Sequence, residues 1–173
     1  MPKPTIAISS CILGQRVRYD ADIKSFPDIC HHLQQFFHLL PICPEVEAGL
    51  TVPRPPVQLS GDPQHPRMTG RDDPDIDVTD AIRQFCQTRI NRLPKIHGYV
   101  FKSKSPSCGL HAIPVFAQGH IVDHNNRGLF AQAIITTFPK LPVAEETELA
   151  NPQQREHFIQ QVLHYCKSQS VNK

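Results

Sequence analysis

Residues 5–11, TIAISSC, are an apolar run that ends on a cysteine. A short continuous apolar run bounded by turn residues is the pattern of a strand buried on both faces. It returns in HLLPIC (38–43), which ends at Cys43 and Pro44, and in GYVFK (98–102), which leads through SKSPSCG to Cys108. A fourth strand is expected at LPVAEE (141–146).

Helical spacing fills the gaps between these runs. One helix is predicted at about 25–37, with Ser25 as N-cap, Pro27 in the first turn and Ile29, Leu33, Phe36 and Phe37 facing inward. A second covers 76–93, with Thr79 as N-cap and Ile82, Phe85, Cys86, Ile90 and Leu93 on or near one face. IVDHNNRGLFAQAIITTF reads as a turn at 123–128 and then a helix, and Asn151-Pro152 opens a last amphipathic helix through Tyr165. Residues 50–75 hold six prolines with Gly61 and Gly70, and are expected to form a loop or lid. The order β-α-β-loop-α-β-α-β-α predicts an α/β fold. The expectation is a single three-layer domain over residues 1–173, with a mainly parallel sheet and helices on both faces.

Composition narrows the function. A chain of 173 residues is long enough to bury a core as one domain. Its 18 basic and 16 acidic residues are intermixed, with no long Lys/Arg run. That pattern gives no broad nucleic-acid or membrane footprint, and no polymeric nucleic acid is expected as partner. The opening MPKPTIAISSC has too short an apolar stretch for a signal peptide, and no later segment is apolar enough to span a bilayer, so a cytoplasmic location is expected. In that reducing compartment six cysteines do not form a disulfide framework. They contain no C-x-x-C, against zinc-ribbon and thioredoxin-type readings.

The cysteines sort by position into two kinds. Cys30, Cys86 and Cys166 lie in predicted helices among apolar neighbours and read as packing residues. Cys11, Cys43 and Cys108 each stand at or just after a strand end. In an open parallel sheet all carboxyl ends share one edge, where ligands bind, so these three thiols can converge. They can hold zinc, with His111 or His124 completing a tetrahedron. They can equally hold a [4Fe–4S] cluster, with one iron left open to substrate. Spacing does not choose between the metals. Arg16 and Arg18 in RVRYD, Arg54 in PRPP, and Lys102 beside Lys104 are candidate substrate-binding cations, since arginine suits bidentate phosphate recognition. The other reading is that the arginines brace loops through carbonyls and Asp20 or Asp22.

Four ordered motifs carry a family resemblance: SSCILGQRVRYD (9–20), CPEVEAGLTVPRPP (43–56), DVT (77–79) and FKSKSPSCG (101–109). Together they resemble the TudS-like thiouracil desulfidases. The resemblance implies a [4Fe–4S] cluster on Cys11, Cys43 and Cys108, and non-redox removal of sulfur from a thiolated uracil. It implies a catalytic glutamate at Glu45 and a catalytic serine before the third cysteine, Ser105 first and Ser103 second. The expected partner is a small thiolated pyrimidine: 4-thiouracil, 2-thiouracil or 4-thiouridine monophosphate. VEAGL stands where a more glycine-rich stretch is expected, and Gln58 where an acidic residue is common. Two other classes compete: a zinc-dependent hydrolase or deaminase-like enzyme with Glu45 as base, and a non-catalytic metal-binding module.

Overall fold

A computed structural model describes residues 2–171. In chain order the elements are β1 (Thr5–Ser9), α1 (Pro27–Phe36), β2 (His38–Ile42), α2 (Pro44–Glu47), β3 (Val57–Ser60), β4 (Arg67–Gly70), α3 (Thr79–Asn91), β5 (Tyr99–Phe101), β6 (Ile113–Ala117), β7 (His120–Asn126), α4 (Leu129–Thr137), β8 (Val143–Glu145), α5 (Glu146–Leu149) and α6 (Pro152–Val171).

The four apolar runs pair with one another in one sheet, ordered β2-β1-β5-β8 and parallel throughout. Successive side chains of a strand point to opposite faces, so each strand feeds two layers. Ile6 and Ile8 of β1 and Val100 of β5 pack on one face against Ile29 and Leu33 of α1 and Phe158, Ile159 and Val162 of α6. Ala7, Tyr99 and Phe101 pack on the other against Ile82 and Phe85 of α3 and Phe130 and Ile134 of α4. Each large apolar side chain so buried contributes about 1.5–3 kcal/mol. The α/β fold with a mainly parallel sheet and helices on both faces is therefore observed.

A second sheet, ordered β4-β3-β6-β7, was not expected. β3 and β4 form an antiparallel pair inside the segment read as a loop or lid, and β3 pairs in parallel with β6. The turn expected at 123–128 is also corrected, because residues 120–126 are β7, antiparallel to β6. The reversal lies earlier, at Gln118 and Gly119, whose φ angles of 51° and 78° suit a two-residue hairpin turn. β7 is largely exposed and polar, so it carries no apolar run to announce it.

Two expected caps shift by a residue. Phe26 caps α1 with Pro27 at its first position, while Ser25 forms a bridge with Leu13. Val78 caps α3, and the hydroxyl of Thr79 is held instead by Asp77 and the Met68 backbone. Asn151 does open α6, its Oδ1 accepting from the amides of Gln153 and Gln154. Among the described residues no helix is long and apolar enough to cross a membrane.

Candidate active site

β2, β1 and β5 are neighbours in the parallel sheet, so their carboxyl ends stand side by side. Cys11, Cys43 and Cys108 follow those ends and line one cavity of about 370 Å³, together with Glu45 and Ser105. All six cysteines are free thiols.

Each thiol is placed by its own local device. After β1 the chain winds through a 3-10 turn, Ser10–Ile12, which turns Cys11 into the cavity wall. Pro44 starts α2 at a position where a missing N–H costs nothing, and the Glu47 carboxylate accepts from the Cys43 amide at 2.8 Å. Around Cys108, the Ser105 Oγ accepts from the amides of Ser107 and Cys108 at 3.2 and 3.0 Å. From the far side the first amides of α4 reach the same turn: Leu129 donates to the Pro106 carbonyl and Phe130 to that of Ser107. Lys104, one residue before Ser105, has a φ of 59°, a left-handed conformation uncommon for a side-chain-bearing residue.

Burial dominates the electrostatics of the thiols. It pushes Cys11 up to about 11, against the nearby charge of Lys102. It raises Cys43, and it raises Cys108 well above the usual thiol range, a hydrogen bond from Ser9 acting the other way. At neutral pH the three are thiols, and a metal group bound there would displace their protons.

Glu45 is held at both oxygens. Arg54 Nε donates to Oε1 at 3.0 Å, and Ser107 Oγ donates to Oε2 at 2.9 Å. Arg54 is itself fixed by the carbonyls of Thr51 and Val17. Three serines two residues apart thus have three tasks: Ser103 donates to Glu146 at 2.6 Å, Ser105 accepts from the turn, and Ser107 braces Glu45.

The expected cations divide. Arg16 is not in the wall; it donates to the Ala21 carbonyl at 2.8 Å and braces its own loop. Arg18 is in the wall, paired with Asp20, and Arg54 and Lys102 also line it. Lys24, Arg71 and Lys104 join them, so six basic side chains and one carboxylate, that of Glu45, line the cavity, and Arg18, Arg54, Arg71 and Lys102 are each ion-paired. Arg71 was missed because it lies on the segment read as a lid. Ser107 and Glu146 were missed because their partners lie far away in the chain; Glu146 opens α5 directly after β8, at the end of a run read only as a strand.

The zinc arrangement is not assembled. His111 lines a separate cavity, and His124 is exposed on β7. Among the described residues no three His, Cys, Asp or Glu side chains surround a point closely enough to hold a single metal ion. Cys30 and Cys86 are buried in separate apolar clusters, as packing residues are, and Cys166 is half-buried on α6.

Comparison with known proteins bears on this site. A family model described as 2-thiouracil desulfurase matches residues 6–146, which include β2, β5, β8, all of β1 but Thr5, and all three clustered cysteines. No curated protein matches the chain. A solved structure, the [4Fe-4S]-dependent thiouracil desulfidase TudS (DUF523Vcz), is similar with a TM-score of 0.64 and 26% identity, over 90% of this chain and 97% of that one.

Proposed function

The chain belongs to the 2-thiouracil desulfurase family, and from that premise we propose that it is a [4Fe–4S]-dependent enzyme replacing the thione sulfur of a thiolated uracil nucleotide with oxygen. One observation carries the reading: three thiols from three adjacent strand ends share a cavity with Glu45 and Ser105.

The donor set fits such a cluster. Thiolates are its ordinary ligands, each taken by a different iron. The three thiols line one cavity with neither His111 nor His124 in it, a donor set that suits a group held by thiolates alone. Cys11, Cys43 and Cys108 would hold it, leaving one iron without a protein ligand. When bound, the group supplies a Lewis-acidic iron that can polarise the C=S bond.

The rest of the chemistry falls to side chains. Water adds to the thione carbon and Glu45 takes its proton, with Arg54 and Ser107 keeping the carboxylate oriented. Ser105 is favoured over Ser103 as the serine that meets water or the ring. Its Oγ accepts two amide protons and leaves its own O–H free for the cavity, whereas the Ser103 proton is held by Glu146. The C–S bond breaks as the C=O forms and water's second proton leaves with the sulfur as hydrosulfide, giving the oxo pyrimidine with no net electron transfer.

The cationic wall supports a phosphate-bearing substrate, 4-thiouridine monophosphate over the free bases. Lys24 and Lys104, without an ion pair among the described residues, line the cavity with Arg18 and Arg71, whose guanidiniums pair with Asp20 and Asp72. Residues 1–173 would act as a single domain, since one sheet separates and serves both apolar clusters.

The test is anaerobic iron–sulfide reconstitution followed by turnover of 4-thiouracil, 2-thiouracil, 4-thiouridine and 4-thiouridine monophosphate. Expected is a brown protein that releases hydrosulfide fastest from the monophosphate. A reconstituted brown protein that leaves all four unchanged overturns the activity; a colourless one overturns the cluster.

A further inference from the structure

We propose that Lys102, clamped by Glu146 and Ser103, is the built-in counter-charge of the three-thiolate site, with Glu146 as its positioning residue. The inference rests on the reading of Cys11, Cys43 and Cys108 as cluster ligands.

Glu146 is only 2% exposed, at the start of α5 directly after β8, the fourth strand of the parallel sheet. A buried carboxylate is costly unless its oxygens are filled. Here they accept from Lys102 Nζ at 2.8 Å, the Ser103 amide at 2.7 Å and the Ser103 Oγ at 2.6 Å. The same ammonium donates to the Ser103 carbonyl at 3.1 Å, contacts its Oγ at 3.2 Å, and lies 6.0 Å from the centroid of the Phe26 ring. Its backbone is tied as well, since the Lys102 amide donates to Ser9 Oγ at 3.0 Å.

Two consequences follow. With its protons engaged by this clamp, Lys102 is poorly free to grip a substrate phosphate, but its charge remains. The ion pair is also oriented, because Lys102 lines the thiol cavity and Glu146 does not. Arg54 differs, since its partner Glu45 faces the cavity beside it. Arg71 and Lys104 are exposed to solvent, where their charges are screened.

Three thiolates gathered in a partly buried cavity need compensation, and a fixed nearby cation supplies it without reorganisation. The strand that delivers Glu146 brings no cysteine. Its contribution is the clamp.

The test compares reconstituted wild type, Lys102→Met/Glu146→Gln, which removes both charges together, and Lys102→Arg, which keeps the cation. The readings are the midpoint potential by anaerobic redox titration and the rate of iron loss to a chelator. The double variant is expected to show a more negative potential and roughly 10-fold faster iron loss, the low end of the effect of removing a supporting group around a metal centre. Lys102→Arg is expected to stay near wild type in both. Should the double variant not fold, Lys102→Gln, which keeps donors for Glu146 but no charge, gives the same readings. Wild-type potential and retention in the neutral variants overturn the inference while leaving the cluster reading intact, as does an equal loss in Lys102→Arg. A wild type that takes up no iron–sulfur overturns both.

Discussion

Gly128 lies against the backbone of Ser107 so closely that a Cβ there would stand 2.5 Å from the Ser107 carbonyl carbon and 2.7 Å from the Cys108 nitrogen. This contact seats the first turn of α4 on the segment that presents Cys108, and only a residue without a side chain allows it. Gly128→Ala must push the two apart. The expected cost is about 1–3 kcal/mol, as for other forced overpacking, read as a lower thermal midpoint together with reduced iron content. A variant with unchanged melting and full iron would show that the turn does not depend on this approach.

The division of the cysteines makes six single variants informative. Cys11→Ala, Cys43→Ala and Cys108→Ala are each expected to fold and to lose the visible absorbance of the reconstituted protein. Cys30→Ala, Cys86→Ala and Cys166→Ala are expected to keep it, with iron per chain as in wild type. Selective loss of iron from a well-folded Cys86→Ala protein would contradict the assignment.

Glu45 and its braces should separate in kinetics. Glu45→Gln, with iron content unchanged, is expected to lower kcat by roughly 100-fold or more, the usual contribution of a positioned general base. Ser107→Ala frees one carboxylate oxygen but leaves Arg54 in place, so a smaller loss in kcat is expected, with KM little changed. Equal activity of Glu45→Gln and wild type would remove Glu45 from the reaction.

The serines provide a second kinetic contrast. Ser105→Ala is expected to reduce kcat, and more severely than Ser103→Ala does. The opposite order, in proteins with matched iron content, would move the assignment to Ser103.

Burial holds the Cys86 thiol up at about 11, against an ordinary value of 9.0. The neutral form is the one the fold favours, so this contribution is fully present below pH 9 and is lost as pH rises through about 11. Urea midpoints are expected to fall across that window, and to fall less in Cys86→Ala. Parallel decline in the two proteins would show that Cys86 ionises as freely folded as unfolded.

How far the sequence discloses this molecule depends on what kind of signal each part emits. All four strands of the parallel sheet are legible because burial on both faces demands unbroken apolar runs. The second sheet is not, because β7 meets solvent and reverses at Gln118-Gly119, a pair less distinctive than Asn-Gly. The proline count of 50–75 masks β3 and β4. In the site, the convergence of Cys11, Cys43 and Cys108 follows from the common edge of a parallel sheet. The three tasks of Ser103, Ser105 and Ser107 do not. They are set by Glu146, a turn and Glu45, and two of those partners are distant in the chain. Arg16 shows the reverse case, a cation within the right motif that bonds its own loop.

The origin of the three thiols on separate strands bears on the fate of the protein without iron. In a zinc finger, neighbouring ligands can grasp the ion first and fold around it. Here the thiols are brought together by the pairing of β2, β1 and β5, a sheet packed between two apolar clusters. The protein stripped of iron is therefore expected to keep its circular dichroism and a cooperative melt, so that the architecture outlasts the loss of whatever the three thiols hold.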